Sequence, residues 1–121
     1  MPGKRAIVLV DHGSRQPEAN AVLAELAAMV QALAPDRLVY HAHMELAGPS
    51  LAEAVERSVR EGATEIVVHP YFLTPGRHAS EDIPRLAREA AARHAHVNVR
   101  VSAPLGLHPK LAEVVLERIG D

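Results

Sequence analysis

The sequence predicts an α/β fold, with a four-stranded parallel sheet between two layers of helix. Three observations carry this reading: short apolar runs rich in Val, Ile and Leu, amphipathic stretches of helical spacing between them, and Gly or Pro at the junctions. The order is strand then helix, four times over.

Ala6-Ile7-Val8-Leu9-Val10 is unbroken and β-branched, as in a strand buried on both faces, and it runs into Asp11-His12-Gly13-Ser14. Ala19, Val22, Leu23, Leu26, Met29, Val30 and Leu33 keep helical spacing and predict a helix over about residues 16–34, stopped by Pro35-Asp36. A second strand follows over 37–45, with Leu38, Val39, Tyr40 and Ala42 apolar. Ser50 with Glu53 matches a capping box and opens a helix whose buried stripe is Leu51, Ala54, Val55 and Val59. Gly62 is placed to end that helix. Residues 65–69 form a third strand, closed by Pro70. A loop over 70–80 leads to a helix with Ile83, Leu86, Ala87, Ala90 and Ala91 on one face. Ser80 or Asp82 would cap it, which leaves Pro84 in the first turn, where proline is tolerated. Val97 to Val101 alternates as an edge strand, and Leu111, Val114, Val115 and Ile119 mark a last helix.

Composition narrows the function. The 121 residues suit one domain, 1–121. With no cysteine, the chain can make neither a disulfide nor a thiolate metal site, and a reducing cytoplasm is the expected location. A net charge of −2 and only 2% aromatics argue against a nucleic-acid partner. No apolar run approaches the roughly 20 residues of a membrane span, and none suits a signal peptide. Eight histidines is the unusual count, and it points to metal or proton chemistry.

Ligands of open α/β sheets bind beyond the carboxyl ends of the strands. Asp11, His12, Gly13, Ser14 and Arg15 follow the first strand, His41, His43 and Glu45 close the second, and His69, Arg77 and His78 follow the third. Two imidazoles and a carboxylate drawn from this edge, His12, His78 and Glu45, make a reasonable set for a divalent metal, with a coordination position open to substrate. The plainer alternative is that each histidine is a separate polar loop residue. Strand periodicity puts His41 and His43 on the face of Glu45, either extending the site or forming a polar stripe. His69 is expected to be partly buried and hydrogen-bonded, His94 and His96 solvated, and His108 a helix-start residue. Arg15 and Arg77 beside the histidines would suit an acidic substrate, and Gly13 and Gly76 a tight turn or close backbone approach. A serine triad is discounted, because adjacent residues of an extended chain point apart and no Gly-x-Ser-x-Gly elbow is present.

These pieces, in this order, resemble the class II chelatases, specifically the small sirohydrochlorin cobaltochelatases. The matching segments are Asp11-His12-Gly13-Ser14-Arg15, Glu45-Leu46-Ala47 with Pro49-Ser50-Leu51, Pro70-Tyr71-Phe72-Leu73 with Gly76-Arg77-His78, Asp82-Ile83-Pro84, and Leu105-Gly106-Leu107-His108-Pro109. The resemblance covers essentially the whole chain. It implies a chelatase-like three-layer α/β/α sandwich and insertion of Co²⁺, or Fe²⁺ or Ni²⁺, into the acidic tetrapyrrole sirohydrochlorin. It further implies His12, Glu45 and His78 as metal ligands, no organic cofactor, and a homodimer with its cleft between subunits; ordinary acid–base chemistry adds His12 and His78 as proton acceptors assisted by Glu45, and Arg15 and Arg77 as partners of the tetrapyrrole carboxylates. His69, and the polar pair His41 and His43, depart from the family's usual pattern. Two other readings stand beside this one. A metal carrier or sensor of the same fold would keep the histidines without handling a tetrapyrrole. A histidine phosphatase would need an arginine where this chain has Asp11.

Overall fold

A computed structural model describes residues 3–120. Its elements are β1 (Lys4–Asp11), α1 (Pro17–Leu33), β2 (Leu38–His43), α2 (Leu51–Arg60), β3 (Ala63–Pro70), α3 (Arg77–Ala92), β4 (Asn98–Val101) and α4 (Pro109–Ile119). All strand pairs are parallel, in the order β2-β1-β3-β4, so β4 is an edge strand as expected. The chain steps from β1 to β2 on one side and to β3 on the other. The carboxyl ends of β1 and β3 therefore flank the point where strand order reverses, the usual crevice of such sheets.

The side chains of β1 divide between the two faces. Ala6, Val8 and Val10 join Val55, Ile66, Val68, Ile83 and Ala87 in the larger core, beneath α2 and α3. Leu9 faces the other way, onto Leu23 and Ala27 of α1. This core is aliphatic, in keeping with a chain that has one Phe and two Tyr.

Local signals explain most boundaries. Pro17 opens α1, where its missing N–H costs nothing. Ser50 and Glu53 form the capping box: the Ser50 side chain accepts from the Glu53 N–H at 3.1 Å, and the Ser50 N–H donates to Glu53 Oε1 at 2.8 Å. Gly62 follows α2 with φ 105°, a left-handed conformation that suits glycine. His108 caps α4 through its ring, which accepts from the Lys110 N–H at 3.1 Å.

Two expectations fail, at the start of α3 and at Gly76, and two helices leave apolar residues uncovered. The helix α3 begins at Arg77, capped by Gly76 without a side-chain bond, so neither Ser80 nor Asp82 caps it and Pro84 lies beyond the first turn. Proline is tolerated there because Ser80, whose carbonyl loses its partner, is exposed. Gly76 has φ −67° and open space around the position of a Cβ, so no tight approach requires it. In α1 the apolar stripe is only partly covered: Val22, Met29 and Leu33 are exposed, Leu33 at 87%. The last helix, α4, buries no residue at all.

Candidate active site

The site edge is built where the turns after β1 and β2 lie against each other. Parallel pairing runs Asp11 beside His43. The ladder then continues past the strands, with the Met44 N–H donating to the Asp11 carbonyl at 2.9 Å and the Glu45 N–H to the His12 carbonyl at 3.1 Å. Gly13 makes the contact possible. Its φ is 90°, and a Cβ there would stand 2.0 Å from the Glu45 carbonyl oxygen. His12 and Glu45 are thus neighbours through their backbones, and both are exposed.

Asp11 anchors this turn. One carboxylate oxygen, Oδ1, accepts the Gly13 N–H at 3.0 Å and lies 2.6 Å from His43 Nδ1. An ionised carboxylate only accepts, so Nδ1 carries the proton. The His43 side chain is 1% exposed, and this bond satisfies its buried polar edge. Its ring stands 5.7 Å from that of the half-buried His41. Burial first, then the neighbouring His43, hold His41 below the ordinary histidine range.

The turn after β3 supplies the third side of the edge. The Tyr71 N–H donates to the Val10 carbonyl at 2.8 Å, which ties this turn to β1. Phe72 meets the His12 ring edge-on, centroids 5.2 Å apart. His78 follows in the first turn of α3, its side chain 90% exposed and 3.4 Å from Asp82. Arg77 beside it is equally open and 3.4 Å from Glu81. Arg15 is exposed on the β1 turn.

The structure joins His12 to Glu45 through their backbones and places His78 in the first turn of α3. Among the described residues, no three His, Asp or Glu side chains stand close enough to cage an ion. β2 ends at His43, so Glu45 lies outside the strand and does not share its face. His43 is buried against Asp11 and is no exposed stripe. The anchoring role of Asp11 and the packing of Phe72 on His12 escape sequence reasoning, although an acid two residues before the turn glycine is a legible signal for an Asx-type bond. His69 is as expected: half-buried, Nδ1 at 2.9 Å from Ser102 Oγ, and held below the ordinary histidine range by burial. Leu46, next to Glu45, has φ 70°, a strain of about 1–2 kcal/mol for a residue with a side chain. The Gly48–Pro49 peptide is cis.

The CbiX family model matches residues 6–121. A sirohydrochlorin ferrochelatase of Arabidopsis thaliana chloroplasts is 44% identical over 93% of the chain, which spans 50% of that relative's length. A sirohydrochlorin cobaltochelatase of Methanopyrus kandleri is 32% identical, with 96% of this chain and 95% of the relative covered. Among solved structures, the sirohydrochlorin chelatase SirB of Bacillus subtilis subspecies spizizenii in complex with cobalt superposes with a TM-score of 0.81 at 29% identity, over 96% of this chain and 50% of that one.

Proposed function

The chain belongs to the CbiX family, and from that membership we propose that it is a metal chelatase that inserts a divalent metal, cobalt first, into sirohydrochlorin. The observation that carries the site assignment is the closure of the β1 turn onto the β2 turn at Gly13, which fixes His12 beside Glu45 at the carboxyl edge of the sheet.

The metal is substrate here. An ion that is handed on needs weak, open ligation rather than a closed cage, and three exposed side chains on separate turns offer that. Insertion requires the ion to shed water, meet the macrocycle nitrogens and displace two pyrrole protons. A neutral imidazole has a free ring nitrogen that can accept such a proton. In this reading His12 and His78 hold the ion and take protons, and Glu45 assists as third ligand or base. Arg15 and Arg77, both exposed, steer the carboxylates of the macrocycle.

Purified protein mixed with sirohydrochlorin and Co²⁺, Fe²⁺ or Ni²⁺, followed by absorption, tests this reading. Insertion should outrun the uncatalysed background, and His12→Ala or His78→Ala should each lower the rate at limiting metal by about 100-fold. Rates close to those of the unaltered protein in both variants would remove the assignment. Metal binding without faster insertion would favour a carrier. Iron is the second reading, favoured by the 44% identity to a ferrochelatase, and relative rates with the three metals decide it.

Two further parts of the reading rest on size and composition. In this reading the chain is one chelatase-like domain over 1–121 that works as a homodimer, a reading supported by its spanning 50% of the Bacillus chain. A cysteine-free enzyme suits a reducing cytoplasm.

A further inference from the structure

Among the described residues two polar side chains are buried, Ser58 and His43. Ser58 needs no outside partner, because its Oγ donates to the Ala54 carbonyl one turn back, at 2.8 Å. His43 is different. At 1% exposure, a leucine would fill the same space without the cost of taking a polar ring out of water. What the imidazole adds is one bond, from Nδ1–H to Asp11 Oδ1 at 2.6 Å.

That bond acts on a peptide unit, and through it on His12. Asp11 Oδ1 also accepts the Gly13 N–H at 3.0 Å. The carbonyl of the same peptide unit, that of His12, accepts the Glu45 N–H at 3.1 Å. The His12–Gly13 peptide is therefore held at both ends. Turning it would break both bonds and re-aim the Cα–Cβ bond of His12. Without His43, the Asp11 oxygen is tied only to Gly13, two residues away on the same turn. With His43 the carboxylate is fastened to β2. The His43 N–H in turn donates to the Pro49 carbonyl at 2.9 Å, which joins the pair to the loop that carries Glu45.

Position separates this role from ligation. Val10 and Ala42 face the core beneath α2 and α3, so strand alternation turns the next residues, Asp11 and His43, to the face of α1. The His12 ring meets Phe72, which packs against the core of the opposite face. The Asp11–His43 pair thus stands behind His12 rather than beside its ring.

We propose that His43 is a positioning residue for the metal: through Asp11 it fixes the His12–Gly13 peptide, and with it the direction in which the His12 imidazole is presented. The inference rests on the chelatase reading only in taking His12 as a ligand. Groups that orient a metal ligand are worth roughly 10–100-fold in affinity or activity.

Titration with Co²⁺ alone, followed through the absorption of the bound ion well below each variant's melting midpoint, measures the effect. His43→Leu should weaken Co²⁺ binding by about 10-fold. It should raise the metal concentration for half-maximal insertion to match, with the KM for sirohydrochlorin unchanged. His43→Asn, whose amide N–H can stand where Nδ1–H stood, should recover most of the loss. Asp11→Ala should lose as much as His43→Leu, and the double variant no more than either, since the two residues act as one unit. A folded His43→Leu protein with wild-type Co²⁺ affinity would overturn the proposal. So would equal losses in the Leu and Asn variants, or losses that add in the double variant. Should His43→Leu not fold, an unchanged affinity in Asp11→Ala overturns it equally. Wild-type protein that binds Co²⁺ but inserts it no faster than background would remove the chelatase reading and leave this one standing, because binding alone reads it. A wild-type chain that binds no Co²⁺ would overturn the ligand set and this role with it.

Discussion

Gly13 shows how one missing carbon sets a site. Its φ of 90° and the 2.0 Å approach of a notional Cβ to the Glu45 carbonyl leave a side chain nowhere to go without parting the two turns. Gly13→Ala should therefore cost about 3 kcal/mol or more, against a typical total of 5–15 kcal/mol, and should cut metal insertion along with it. Urea unfolding read beside the insertion rate checks this, and a loss below about 1 kcal/mol would show that the turns can separate cheaply. At this scale the sequence was legible in part. Gly13 reads as a close-approach residue because it follows a buried strand and precedes a helix. The bond between His43 and Asp11 could not be read, because residues 32 apart in sequence meet only through the register of β1 with β2.

Helix and strand boundaries follow local chemistry where local chemistry is strong. The reciprocal Ser50–Glu53 bonds satisfy two N–H groups at the start of α2. The Glu53 carboxyl is held below the usual range, first by its bond from the Ser50 backbone. Ser50→Ala should lower stability by about 1 kcal/mol and the melting midpoint by about 4 °C, measured calorimetrically. An unchanged midpoint would mean that solvent caps α2 equally well. The start of α3 shows the opposite case. No capping side chain marks Gly76, and Pro84 argues for a later start, so Arg77 and His78 read as loop. Their helical placement matters for the site, since it fixes His78 one turn from Asp82 rather than on a mobile segment.

For the molecule as a whole, alternation of strands and helices made the parallel sheet legible, and the bare α4 marks where legibility ends. Periodicity reports that Leu111, Val114, Val115 and Ile119 want cover, and it is silent on which chain supplies it. Acid sensitivity is also a property of the whole fold. Burial holds His69 and His41 below the ordinary histidine value, so the unfolded chain takes up protons that the folded chain resists. Both groups are neutral above about 6.5 and stability is then at its full value; it should fall as the pH drops from there toward their depressed folded values. Melting curves at descending pH should show the decline, and His69→Gln should flatten it; an equally steep decline in the variant would place the effect elsewhere. The scarcity of aromatic residues has a practical corollary. With no tryptophan, intrinsic emission comes from two tyrosines alone. Tyr40 has its phenol pushed up to about 12 by burial and by donating to Glu61. Tyr71 lines the uncovered groove beside α1, so tyrosine emission in the near ultraviolet, read with a Tyr40→Phe variant, reports on whatever comes to cover that surface.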